Sequence, residues 1–170
     1  MTATAERWRP AYVGVGSNLD APEDRVAAAL GDLAQHTDIR AFQASDLWRS
    51  APVGTGPQPD YINAVAGFLW SGSPEALLEM LLGLERKHGR VRDGVRWAPR
   101  RLDLDLLLLS DVVTDNPQLT LPHPRMTERA FVLRPLATLA PTLTVPGHGM
   151  VSTLLDAVSD QRIDCLGGLA

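Results

Sequence analysis

The chain has 170 residues and a mass of 18.4 kDa, with 45% hydrophobic and 21% charged residues, which is typical of one globular domain and excludes a disordered chain. Its formal net charge of -4 and pI of about 5.5 argue against a chain-wide basic coat that would bind duplex nucleic acid. The single cysteine, Cys165, excludes an internal disulfide and favours a cytoplasmic location, and no stretch has the roughly 20 apolar residues of a membrane span.

Apolar periodicity and turn residues divide the chain into alternating strands and helices. Arg7 and Arg9 are not followed by an apolar stretch, so we expect residues 1–10 to be a flexible N-terminal tail without a secretory signal, and residues 11–170 to form a single domain. In chain order, the sequence predicts a strand at 11–15, a helix from 22 to about 36, strands at 39–48 and 61–70, a helix from 73 to 89, a strand at 101–109, and short helices at 126–133 and 151–158.

The two long predicted helices have recognisable start and end signals. Asp20 and Glu23 have the spacing of a capping box, with Pro22 in the first turn. Ser73 is a favourable N-cap for the second helix, and Gly89 ends it. The resulting order, strand–helix–strand–strand–helix–strand, predicts an α+β fold of the ferredoxin-like type. We expect an antiparallel sheet with helices packed on its faces and extra short elements in the C-terminal part.

The basic residues are concentrated in one segment. Residues 85–101 contain seven of the 16 Lys and Arg residues against two acidic ones, a net charge of +5, so the other 153 residues carry -9. The helix dipole explains the basic residues at the end of the predicted helix, but not those that follow Gly89. Because like charges crowded on one loop repel each other, this segment predicts an anionic ligand.

Two aspartates follow this segment in an otherwise apolar predicted strand. Asp103 and Asp105 are two residues apart and therefore point to the same face, although Asp is depleted in strands. Paired carboxylates together with substrate phosphates are the usual ligands of Mg²⁺. The alternative is a solvated strand face with the intervening leucines in the core. The guanidinium of Arg100 favours the first interpretation, because it fits a bound polyphosphate.

Several other residues have both a structural and a functional interpretation. Trp97 in the basic loop either packs locally or stacks on a flat ring. His123, within LPHPRM, is more often structural than catalytic. Tyr61 and Asn63 share one strand face and belong either to the core or to a site. The Pro- and Gly-rich loop at 50–59 is long enough to predict a function.

Five motifs together resemble the 6-hydroxymethyl-7,8-dihydropterin pyrophosphokinase family of folate biosynthesis, from about residue 11 to residue 158. They are GVGSNL at 14–19, PDYINA at 59–64, ERKHGRVR at 85–92, RWAPRRLDLDLL at 96–107 and LPHPRM at 121–126. The resemblance implies transfer of the terminal pyrophosphate of ATP, the co-substrate, to the pterin hydroxymethyl oxygen, with release of AMP. It also implies two Mg²⁺ ions. We expect a monomer that acts on these small molecules, with no nucleic-acid or membrane partner.

The resemblance also implies a role for individual residues. It assigns Asp103 and Asp105 to the metal, and Arg90 and Arg100 to catalysis. The pterin-binding residues that it implies are Gly16, Ser50, Ala51, Val53, Tyr61, Asn63, Trp97 and Phe131. The ATP-binding residues that it implies are Glu85, Arg92, Arg96, Trp97, Arg100, Thr120, His123 and Arg129.

Two alternative functions start from single features. The basic loop with Trp97 is compatible with a ferredoxin-like module that binds single-stranded RNA, but the chain lacks the aromatic strand pattern of such modules. The Asp-x-Asp pattern also occurs in nucleotide-sugar transferases, for which this chain is short. AMP release in the presence of pterin, ATP and Mg²⁺ distinguishes the pyrophosphokinase from both.

Overall fold

The computed structural model of the chain describes residues 6–54, 56–89 and 102–168. Its strands are β1 (Arg9–Ser17), β2 (Ile39–Ala44), β3 (Leu47–Ser50), β4 (Tyr61–Trp70), β5 (Asp103–Leu109), β6 (Thr114–Asp115), β7 (Thr120–Leu121), β8 (Thr144–Val145), β9 (Gly149–Met150) and β10 (Ile163–Gly167). Its helices are α1 (Pro22–Ala34), α2 (Pro74–Lys87), α3 (Ala130–Leu139) and α4 (Val151–Asp156), with a 3₁₀ turn at Met126–Glu128.

The long strands form one antiparallel sheet in the order β10-β3-β4-β1-β5, and β2 also pairs with β4. The register aligns one row of residues across four strands. Asp103 on β5 lies opposite Gly16 on β1, Gly16 lies opposite Asn63 on β4, and Asn63 lies opposite Trp48 on β3. Because paired residues point to the same face of a sheet, this row brings Asp103 and Asn63 onto one face.

The two faces of the sheet bury different helices. Valines 13 and 15 of β1 pack with Leu30 of α1 and Leu77 of α2. The opposite face packs against α3 and α4 through residues that include Val65, Leu133 and Val151. Asp103 and Asp105 alternate with buried leucines along β5 and therefore point to the α3 side. The predicted α+β class, with an antiparallel sheet and packed helices, is confirmed.

The prediction was most accurate where the signals were local. β4 has the predicted bounds, and Ser73 caps α2, since its Oγ accepts a hydrogen bond from the Ala76 N–H at 3.1 Å. The capping box at Asp20 was wrong: the residue before α1 is Ala21, which makes no side-chain cap. Both Asp20 and Ala21 have left-handed backbone angles, with φ of 52° and 57°.

Several predicted bounds differ from the structure. β1 starts at Arg9, within the segment that we assigned to the tail. The strand predicted at 39–48 is two strands that are separated at Ser45. There the Ser45 hydroxyl accepts a hydrogen bond from the Val65 N–H at 2.9 Å and donates one to the Asp46 carbonyl at 2.8 Å. The helix predicted at 126–133 is divided at Arg129, whose backbone is extended.

The C-terminal part contains strands that the sequence analysis did not identify. The hairpins β6–β7 and β8–β9 are two residues per strand, and β10 joins the edge of the main sheet beside β3. Over the described residues, no helix has the length and apolar character needed to cross a membrane.

Candidate active site

The α3 face of the sheet opens into a cavity of about 380 Å³. Its floor is formed by the residues that pair across β5, β1 and β4, with Gly16 between Asp103 and Asn63. Further walls come from β4, from the loop after β3 and from the first turn of α3. The lining residues are Gly14, Val15, Gly16, Ser50, Ala51, Val53, Tyr61, Asn63, Ala64, Asp103, Asp105, His123, Pro124, Arg125, Arg129, Phe131 and Val132.

One end of this cavity has aromatic walls and an open floor. Tyr61 and Phe131 are both half-buried and come from different elements, β4 and α3. A Cβ atom on Gly16 would lie 3.4 Å from Asn63 Oδ1 and 3.9 Å from Tyr61 Cδ1. The absence of a side chain at Gly16 therefore leaves space directly beside the amide and the ring.

Two hydrogen bonds to the neighbouring strand β3 fix the side-chain amide of Asn63. Its Nδ2 donates to Ser50 Oγ at 2.8 Å and to the Trp48 carbonyl at 3.4 Å. Ser50 and Asn63 are 8% and 5% exposed, so the bond between them is shielded from water. Because the nitrogen is used within the sheet, the oxygen is the amide atom that is presented beside Gly16.

The carboxylates of Asp103 and Asp105 lie among basic side chains. Burial lowers the pKa of Arg129, while the nearby carboxylates of Asp105 and Asp103 oppose this shift. The Arg129 guanidinium also lies 5.4 Å from the centre of the Phe131 ring. Arg129 therefore connects the charged part of the cavity to its aromatic part.

His123 is a neutral hydrogen-bonding group in this environment. Burial, followed by the positive charges of Arg129 and Arg125, lowers its pKa to about 4, against the opposing effect of Asp103. Its Nδ1 accepts from the Arg125 backbone N–H at 3.2 Å, so in the neutral ring Nε2 carries the proton. This Nε2–H is a donor for an anionic oxygen.

A second cavity of about 300 Å³ adjoins the first. It shares Asp103, Asp105, His123 and Pro124 with the first cavity. The rest of its lining comes from α2, from leucines 104 and 106 of β5, and from the segment around β7, including Leu78, Leu82, Glu85, Asn116, Gln118 and Thr120. The two aspartates thus stand where the cavities meet. Glu85 is 2% exposed and accepts a hydrogen bond from the Leu104 N–H at 2.9 Å. It therefore fixes the backbone of Leu104, the residue between the two aspartates.

The aspartate pair fits a magnesium ion that also binds phosphate. Among the residues that the structure describes, no group of three or more His, Cys, Asp or Glu side chains is placed to hold a metal. Two carboxylates leave most positions of an octahedral ion to other oxygen atoms. Phosphate oxygens and waters, which Mg²⁺ accepts readily, would have to supply them.

Most of the predicted site residues lie together. The first cavity contains Gly16, Ser50, Ala51, Val53, Tyr61, Asn63, Asp103, Asp105, His123, Arg129 and Phe131; the second contains Glu85 and Thr120 as well as the shared residues. The predicted residues Arg90, Arg92, Arg96, Trp97 and Arg100 lie outside the described residues. The roles of all these residues stay predictions.

Several residues that line the cavities were not among the predicted site residues, and Arg125, Leu78 and Leu82 are examples. Arg125 was quoted only as part of a motif, although a basic residue two positions after His123 in a turn could have been a candidate. Leu78 and Leu82 contribute to the apolar periodicity from which the second helix was predicted and were given no other role. Their spacing from Glu85, seven and three residues, places all three on one helix face and could have identified them.

Comparison with known proteins gives the family. The family model described as 7,8-dihydro-6-hydroxymethylpterin-pyrophosphokinase (HPPK) matches residues 12–141. A relative from Pseudomonas aeruginosa, named 2-amino-4-hydroxy-6-hydroxymethyldihydropteridine pyrophosphokinase, is 42% identical over 157 residues, which are 92% of this chain and 96% of the relative. A relative of the same name from Haemophilus influenzae is 38% identical over 153 residues, covering 90% and 95% of the two chains.

Solved structures show the same fold. The wild-type HPPK-DHPS of Plasmodium falciparum with pteroate has a TM-score of 0.69 at 11% identity, and a second HPPK-DHPS, in complex with substrates, has 0.69 at 9%. Each comparison covers 91% of this chain but only 43% and 44% of those chains, so this chain spans less than half of them. On the family model and the relatives, the chain belongs to the 7,8-dihydro-6-hydroxymethylpterin-pyrophosphokinase family.

Proposed function

We propose that this chain transfers pyrophosphate from ATP to the hydroxymethyl group of 6-hydroxymethyl-7,8-dihydropterin and releases AMP, in folate biosynthesis. Membership of the family supports the activity. The observation that carries the proposal is the junction of the two cavities at Asp103 and Asp105. An aromatic-walled cavity on one side suits a flat ring, the other side is free for a nucleotide, and the ligands for the metal lie between them.

The first cavity is the proposed pterin site. Tyr61 and Phe131 would enclose the ring, and Asn63 would accept from its polar edge with Oδ1. Ser50, Ala51 and Val53 are on the loop wall, where their backbone groups would complete the set of polar contacts. Gly16 leaves the floor open for the ring. This arrangement follows the usual design of small-molecule sites, an apolar slot with a few oriented polar groups.

Asp103 and Asp105 are the residues that would hold Mg²⁺, and we expect two ions there. When bound, Mg²⁺ neutralises phosphate charge and makes the attacking hydroxyl more acidic. The fit rests on two half-buried carboxylates on one face of β5, at the meeting point of the cavities. The number of ions is part of the proposal.

The remaining charged and polar residues would bind the nucleotide. His123 would donate its Nε2–H to a phosphate oxygen, and Arg129 would neutralise phosphate charge; Glu85 and Thr120 belong to the second cavity. For residues outside the described part of the chain, the proposal is that Arg90 and Arg100 contact the phosphates, that Arg92 and Arg96 contact the nucleotide, and that Trp97 closes over both substrates. Pyrophosphoryl transfer depends mainly on positioning and charge neutralisation, so these residue types are sufficient.

The proposed reaction is a single displacement. The hydroxymethyl oxygen forms a bond to the β-phosphorus of ATP, and the bond from that phosphorus to the oxygen bridging it to the α-phosphate breaks. AMP leaves with the bridging oxygen, and the hydroxyl proton is released to solvent. The chain's own residues hold the two substrates so that the hydroxyl and the β-phosphorus meet at the junction of the cavities.

The finer statements on fold and assembly are also proposals. We infer a ferredoxin-like topology, supported by the order of β3, β4, β1 and β5 in the sheet. We further propose one domain, which begins with β1 at Arg9 rather than at residue 11 and extends to residue 170, acting as a monomer in the cytoplasm without nucleic acid or membrane. The net charge of -4 supports the absence of nucleic acid, and the single cysteine supports the cytoplasmic location.

The test is the identity of the nucleotide product. With pterin, ATP and Mg²⁺ present, the protein should form AMP in equal amount to the pyrophosphorylated pterin. Omitting any one component should abolish AMP formation. ADP as the product, or AMP release that does not depend on the pterin, would refute the proposal.

A further inference from the structure

The start of α3 is capped by a residue from a distant part of the chain. The helix follows Arg129, which provides no side-chain cap. Instead, Gln161 Oε1 accepts from the Ala130 N–H at 2.9 Å, and Gln161 Nε2 donates to the Glu128 carbonyl at 2.8 Å. These two bonds hold the backbone on both sides of Arg129. Phe131 follows in the first turn of the helix.

Gln161 is itself anchored to the fold. Its backbone N–H donates to the carbonyl of Val158 at 3.0 Å, and Val158 is 6% exposed in the core around α3. Two residues later β10 begins, and Ile163 lies opposite Ser50 of β3. Ser50 in turn accepts from the amide of Asn63. The segment 161–163 therefore contacts both the α3 wall and the sheet wall of the first cavity.

We propose that Gln161 is a positioning residue of the pterin site, which sets the α3 wall with Phe131 at the correct distance from the sheet wall with Asn63. The residue lies 20 positions beyond the last one that the family model matches. It acts through Ala130 and Glu128 and does not line the cavity. This inference rests on the proposed function, because it assigns the cavity to the pterin.

Loss of the Gln161 cap should affect binding more than it affects the chemistry. Gln161→Met keeps the length of the side chain and removes both polar atoms. We expect the dissociation constant and the KM of the pterin to rise about fivefold with kcat nearly unchanged, because a lost helix cap changes free energy on this scale. Gln161→Glu keeps an acceptor for the Ala130 N–H and should restore part of the affinity.

Two control variants separate positioning from general stability. Ser73→Ala also removes the side-chain cap of a helix, α2, but Ser73 lines neither cavity. Arg162→Ala, next to Gln161, removes only an exposed ion pair to Asp164. Both controls should retain the wild-type KM for the pterin, and Ser73→Ala should lower the melting temperature to a similar degree as Gln161→Met.

Amide hydrogen exchange provides a readout that does not depend on activity. Exchange at residues 130–133 should be faster in Gln161→Met than in Ser73→Ala, and intermediate in Gln161→Glu. The inference would be overturned if the wild type is active and Gln161→Met and Ser73→Ala have the same pterin affinity and the same exchange rates at residues 130–133. A wild type that forms no AMP would instead refute the proposed function, and the exchange result would then decide whether Gln161 orders the start of α3.

Discussion

Glu85 provides the most direct test of how the structure holds its two aspartates. It is a carboxylate on α2 with 2% exposure, and it accepts a hydrogen bond from the Leu104 N–H at 2.9 Å. Leu104 is the residue between Asp103 and Asp105. The bond therefore ties the strand that bears both carboxylates to the helix behind it.

The size of the effect follows from the burial of this bond. A hydrogen bond to a charged group contributes about 1.5–3 kcal/mol, and an orphaned buried N–H adds a desolvation cost. We expect Glu85→Ala to lower the free energy of unfolding by about 3 kcal/mol. Glu85→Gln should cost about 1 kcal/mol, because its amide oxygen still accepts from the Leu104 N–H. Glu79→Gln, on the same helix but exposed, should change it by less than about 0.5 kcal/mol.

Urea denaturation measures these differences, and a magnesium titration measures their effect on the site. Because Glu85→Ala frees the backbone between the two aspartates, it should also raise the Mg²⁺ concentration needed for half-maximal AMP formation, whereas Glu79→Gln should not. The reasoning fails if Glu85→Ala unfolds at the same urea concentration as the wild type. It also fails if the Ala and Gln variants lose equal stability, because the retained acceptor would then have no effect.

Three further variants test the cavity itself. Asp105→Ala should lower Mg²⁺-dependent AMP formation by at least about 100-fold with an unchanged circular dichroism spectrum, with the exposed Asp111→Ala as its control; near-normal turnover would contradict the metal-binding role. Gly16→Ala should keep or slightly raise the melting temperature but raise the KM of the pterin about tenfold, since its methyl group would lie 3.4 Å from Asn63 Oδ1; an unchanged KM would place the ring elsewhere. His123, with its pKa lowered to about 4, stays neutral in the native state between pH 4 and 6.5, whereas in the unfolded chain it takes up a proton below about pH 6.5. The free energy of unfolding should therefore rise from pH 4 to pH 6.5 by up to about 3 kcal/mol more in the wild type than in His123→Gln. Parallel pH profiles of the two proteins would contradict this.

Local sequence patterns were sufficient for the elements whose signals lie within them. The strand pattern from Tyr61 to Trp70 predicted the bounds of β4 correctly, and the Ser73 cap is present in the structure. The start of α1 at residue 22 was predicted correctly, but its capping box was not present, because Asp20 and Ala21 adopt left-handed backbone angles that the sequence pattern does not indicate. The cap of α3 could not be found from spacing at all, since Gln161 lies 31 residues from Ala130.

The site was predictable in its parts but not in its assembly. Alternation along a strand correctly placed Asp103 with Asp105, and Tyr61 with Asn63, in the same cavity. That these two pairs share one cavity depends on the register of β5, β1 and β4, which no local pattern contains. Likewise, the orientation of the Asn63 amide comes from Ser50, 13 residues earlier, across a strand pair.

The glycines of β1 give an argument for a ligand that is independent of any family resemblance. Gly14 and Gly16 lie opposite Asp105 and Asp103, on the face that lines the first cavity. Neither has a positive φ, and a Cβ atom would meet its nearest neighbour at 3.7 Å and 3.4 Å respectively, so folding does not demand glycine at these positions. Glycine inside a strand costs about 0.5–1 kcal/mol relative to alanine. Glycine is therefore advantageous here only if a ligand occupies the floor of the cavity between the two carboxylates and Asn63. In the proposed reaction, the two substrates meet in this space.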